Sequence, residues 1–151
     1  MSLTFGLNSF GDLRAKLDRD AAKLKDEEVS ADNFFNFVVT GYSMIDWIKN
    51  DPAVPLPAKQ AVPSLYRDHW IRICHDLANA SKHFVLTAPN PAVATTTVEQ
   101  GFGAGRFGAG GWGVGEQSIQ VKLSDGSSYD CLAVVTGVTN SWRVFCSTHG
   151  V

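Results

Sequence analysis

Arg72, Asp76, Asn79 and His83 follow one another at intervals of four, three and four residues. On a helix of 3.6 residues per turn these positions share a face. The face therefore carries a guanidinium, a carboxylate, an amide and an imidazole. An imidazole titrates near neutrality, so His83 could take a proton from an attacking hydroxyl or return one to a leaving oxygen. The guanidinium of Arg72 could grip a phosphate with two parallel hydrogen bonds and stabilise its developing charge. Such chemistry needs no metal, and no cofactor is expected. The same row of side chains also has a purely architectural reading, as a hydrogen-bonded network fixing the register of packed helices.

The elements that must position this row can be read from the periodicity. Asn8 and Ser9 can cap a first helix, with Asp12 placed to close a capping box. Phe10, Leu13, Leu17 and Leu24 then recur at helical spacing over about 20 residues. Ser30 and Asp32 restart the chain into a helix that is apolar nearly all round, which predicts a central position. Its polar members, Asn36, Thr40, Ser43 and Asp46, then need partners, because a buried amide or hydroxyl without one costs a few kcal/mol. Four of the six prolines lie between 51 and 63. They predict an ordered connector with one helical turn at 58–61, and Pro63 with Ser64 opening a third helix that runs to Phe84.

Antiparallel packing of the second and third helices brings their polar residues together at two places. Asn36 and Thr40 would meet Asn79 and His83. Asp46 would meet Arg72 or Arg67.

Beyond Pro91 the character changes. Thr95, Thr96, Thr97 and Val98 favour a strand. An aromatic-Gly unit recurs at Phe102, Phe107 and Trp112, and such glycine density excludes a helix. Phe102, Arg106, Phe107 and Trp112 are the contact residues this loop offers, either to its own domain or to a partner. It lacks the Gly-Lys-Ser/Thr ending of a phosphate loop. Positions 118–123 alternate as a second strand, and Asp125-Gly126 marks a turn. The last segment is a strand by propensity but a helix by period, since Leu132, Val135, Val138, Trp142 and Phe145 recur at threes and fours. Period decides for a helix over 129–148.

The helix around Asn79 and His83 resembles the higher eukaryote and prokaryote nucleotide-binding (HEPN) domains. These are small helical bundles, often dimeric, many of them metal-independent ribonucleases or partners in toxin–antitoxin and phage-defence systems. Asn79 and His83 take the asparagine and histidine positions of the family motif. The arginine position holds Ala78, with Arg72 one and a half turns back on the same face. The chain is also similar, in Phe34 to Thr40, Asp46-Trp47, Asp76 to Phe84 and the Gly-aromatic repeat, to a group of bacterial and prophage-associated proteins with no established activity. The resemblance implies a HEPN-like module acting through protein or RNA contacts, non-catalytic because Ala78 replaces the arginine. A metal-independent ribonuclease using His83 and Arg72, composed across a homodimer, and a purely structural interaction protein are the alternatives.

Composition bounds these readings. The chain has 151 residues, 44% of them hydrophobic, with a net charge of -2. That fits one domain over 1–151 and gives no general attraction to DNA or an anionic membrane. Within it, 1–88 would be the bundle core, 89–128 a Gly-rich β arm, and 129–148 a helix packing back. Cys74, Cys131 and Cys146 form no Cys-x-x-Cys pair, and no metal site is expected. Reduced thiols, a charged N-terminal stretch and the lack of a long apolar run predict a cytoplasmic chain. The expected fold is mainly α: a bundle of about four helices with an inserted Gly-rich loop and a small antiparallel β-hairpin.

Overall fold

In a computed structural model of the protein, the described residues are 4–84, 86, 89–100 and 117–151. The Gly-rich loop, with Phe102, Arg106, Phe107 and Trp112, lies outside them. Helix α1 spans Phe10–Ala22 and opens on the expected capping box, Ser9 accepting from the Asp12 amide while Asp12 accepts from Ser9. A π-helical turn, Lys23–Glu27, carries Leu24 into the core and completes the long first helix.

Helix α2 spans Ala31–Asn50 behind a Ser30 cap. It packs against α1 and against α4, as its apolar circumference requires. Phe37, Met44, Ile45 and Ile48 are buried in the core. Two expectations about the following stretch need correction. The proline-rich connector is not a single turn but a full helix, α3, Leu56–Leu65, with a proline in its first turn where no amide hydrogen is needed. Pro63 and Ser64 therefore do not open the next helix. Helix α4 begins at His69 and ends at His83, and its cap is Asp68, which accepts from the amides of Trp70 and Ile71.

The β elements are strands β1 (Val93–Gln100), β2 (Gln117–Leu123) and β3 (Ser128–Asp130), in one antiparallel sheet ordered β1-β2-β3. The hairpin is thus extended by a short third strand after the Asp125–Gly126 turn, where Gly126 takes a φ of 92°. Ile119, Val121 and Leu123 point inward, the alternation their sequence shows. Helix α5, Cys131–His149, follows directly and carries Val135, Val138 and Trp142 into the core. The fold is mainly helical with a small antiparallel sheet, having five α-helices among the described residues where the periodicity led to about four. No helix among them is long and apolar enough to cross a membrane.

Candidate functional site

Helix α4 runs beside α2 in the expected antiparallel sense. Lys49 near the end of α2 meets Tyr66 just before α4, and Val38 further up α2 meets Cys74 further down α4. Val38, Gly41 and Tyr42 of α2 face Cys74 and His75 of α4. The Cys74 thiol donates to the Val38 carbonyl at 3.4 Å, and the rings of Tyr42 and His75 meet edge to face at 4.9 Å.

Thr40 lies about 200° around α2 from Val38. It therefore faces α1, where it donates to Asp20 at 2.7 Å and accepts from Lys16 at 2.8 Å. Thr40 is buried, while Asn36 and His83 are exposed and Asn79 is half-buried. Among the described residues the only hydrogen-bond contact within the set is local to α2, the Thr40 hydroxyl 2.9 Å from the Asn36 backbone carbonyl, and nothing joins Asn36 or Thr40 to Asn79 or His83, so the first expected cluster does not form. Nor does the second. Asp46 is exposed and lies 4.0 Å from Lys49 on its own helix, and neither Arg67 nor Arg72 makes an ion pair among the described residues.

The polar stripe of α4 does something else. Asp76 is buried, and its Oδ2 accepts from the backbone amides of Ala92 and Val93 at 2.6 and 3.1 Å. It fastens the start of β1 to the middle of α4. Its Oδ1 faces Nδ1 of His75 at 3.3 Å, and Nε2 of His75 lies 3.2 Å from the Asn79 amide nitrogen. The tautomer protonated at Nδ1 satisfies both contacts, donating to the carboxylate and accepting from Asn79 at Nε2.

Asp76, His75 and Ala92 border a cleft of about 230 Å³ between α4 and the segment before β1. Arg72, His75 and Asp76 line it from α4, Ile71 from beneath, Tyr66 from the α3–α4 link, and Asn90 and Ala92 from the facing segment. Tyr66 is held by Lys49, whose ammonium donates to the phenol oxygen at 2.7 Å. That hydrogen bond, ahead of all other causes, pushes the Lys49 pKa up. Burial chiefly, then the charge of Asp46, pushes up that of Tyr42.

The histidine at the cleft is therefore His75, not His83. His75 stands three residues from Arg72 and four from Asn79, so its place on the stripe was written in the sequence. Cys74 points into the core, where burial raises its pKa to about 12. Cys131 and Cys146 are buried as well. Among the described residues no three His, Cys, Asp or Glu side chains gather as a metal-binding group.

Chemically, the cleft offers one exposed guanidinium beside a fixed imidazole. The carboxylate is already engaged by two amides. Such a set can hold an anion at Arg72, but neither nitrogen of His75 is open to act as a base while its partners stay in place. Comparison with protein-family models, with curated proteins and with solved structures gave no match for this chain.

Proposed function

We propose that the chain is a non-catalytic, HEPN-like binding module that holds an anionic group of a partner, an RNA phosphate or a protein carboxylate, at the cleft between α4 and β1. The observation that carries this reading is the pairing state of the cleft. Arg72 is exposed without an ion pair among the described residues, while both nitrogens of His75 and both oxygens of Asp76 are engaged. Charge for binding is present at the cleft, while the cleft histidine is already hydrogen-bonded at both ring nitrogens.

Fluorescence anisotropy with a short single-stranded oligoribonucleotide and with an acidic peptide tests it. Binding of either should weaken about tenfold or more in Arg72→Ala, the usual scale for a charge-assisted contact. Failure of both probes to bind, or binding indifferent to Arg72→Ala, defeats the reading.

The alternative, a metal-independent ribonuclease using His83 and Arg72, draws support from the exposure of both side chains. They stand eleven residues apart on one helix, about 16 Å along its axis. One phosphate cannot be shared between them within a single chain, so this reading requires two chains. Incubation of RNA with the protein and with His83→Ala separates the two. Equal cleavage in both preparations ends the enzymatic reading.

A further inference from the structure

Strand β1 is the edge of its sheet, and among the described residues it pairs with β2 alone. An edge strand presents a row of unpaired N–H and C=O groups, which folded proteins usually guard with lysine, proline, a bulge or a covering element. β1 has little of this protection. It runs Val-Ala-Thr-Thr-Thr-Val-Glu-Gln, with neither lysine nor proline and with Glu99 as its one charge. Its irregularity falls between Val93 and Thr95, at the base of the strand, and leaves the rest regular. Residues 94–99 are exposed throughout, on both faces of the strand. The strand is eight residues long, above the usual length for an edge left to solvent.

We propose that this edge pairs with the same edge of a second copy of the chain, antiparallel across a two-fold axis, joining two three-stranded sheets into one. The sequence of β1 is compatible with its own reversal. Pairing centred on Thr97 sets Thr97 opposite Thr97 of the partner subunit, and Thr96 opposite Val98 of the partner subunit, as a two-fold axis normal to the sheet requires. Threonine pairs and β-branched pairs favour such a register. Glu99 falls opposite Thr95 of the partner subunit, so the only charge on the strand never meets its own copy. A two-fold axis uses one surface twice, and a strand without self-repulsion is what such an axis needs. The interface is one strand wide, so association belongs to the weak class. This surface is distinct from the Arg72 cleft, and its test is independent of ligand binding.

Sedimentation equilibrium across a concentration series, together with amide hydrogen exchange over 94–99, reads the pairing directly. The mass should climb toward twice the monomer, and the outward amides of β1 should exchange at least tenfold more slowly at high concentration. Thr97→Lys sets like charges against each other on the axis and should abolish both effects, as should Thr97→Glu. An equimolar mixture of the two variants should restore association. A chain that stays monomeric at hundreds of micromolar with concentration-independent exchange overturns the proposal. So does a dimer that Thr97→Lys leaves intact. If either variant failed to fold, the exchange profile of the unaltered chain would still decide.

Discussion

Asp76 carries a negative charge into the interior of the protein, and two backbone amides from the start of β1 make that tolerable. Removing the carboxylate leaves the buried Val93 amide and the part-buried Ala92 amide without this acceptor. Asp76→Ala should therefore lose about 2–4 kcal/mol of stability in urea unfolding, well above the effect of a surface substitution. Asn79→Ala should cost less, since its partner His75 is only half-buried and can turn to water. Cys74 makes the opposite kind of prediction. Its thiol is buried, donates to the Val38 carbonyl, and has a pKa raised to about 12. Because the thiolate is the reactive form, a colorimetric thiol reagent at pH 8 should leave the native chain unlabelled on the time scale of minutes and label it fully in denaturant. The three cysteines are buried alike, so rapid labelling of one in the native state would contradict this packing.

At the level of elements, two positions on the helices show how neighbours set the rules. On α5, Gly137 lies under the indole of Trp70, where an added Cβ would come within 2.1 Å of the ring. Alanine is intrinsically the better helix former, by about 1 kcal/mol. Here the clash outweighs it, and Gly137→Ala should destabilise by about 1–3 kcal/mol, with near-ultraviolet circular dichroism changing as Trp70 moves. At the end of α4, Phe84 takes a φ of 65°, a left-handed conformation that suits glycine, and its side chain is almost wholly exposed. Phe84→Gly should thus stabilise the chain by up to about 1 kcal/mol in thermal unfolding.

For the molecule as a whole, Asp51 ties distant parts of the chain together. It follows α2, and its Oδ2 accepts the first amide of α1, that of Phe10, at 2.7 Å. This bond and a second from the Ala53 amide hold its pKa below the ordinary aspartate value. A carboxyl with a depressed folded-state pKa contributes its stability in full above the unfolded value and loses it as pH falls through the folded one. Acid unfolding should therefore steepen below about pH 4, where free aspartate titrates, and Asp51→Asn should flatten that part of the stability profile while lowering stability at neutral pH. A mutant curve parallel to the parent's between pH 4 and pH 2 would contradict the assignment.

Period and capping residues were enough, from the sequence, for the helices, because both are local. Ser9 with Asp12 marked the start of α1, and threes and fours over Leu132 to Phe145 outweighed strand-forming valines in α5. Alternation in β2 gave its inward face for the same reason. The proline-rich stretch resisted this reading because proline is compatible with a helix's first turn, which makes it a poor stop signal at Leu56–Leu65. The polar stripe on α4 was legible as a stripe, and its partners were not. A helix face is fixed by spacing within a dozen residues, whereas the neighbour it meets depends on how the chain returns from far away. Only the packed structure turned Thr40 toward Asp20 and Lys16, and only the return of β1 beneath α4 gave Asp76 its amides and brought His75 to the cleft with Arg72.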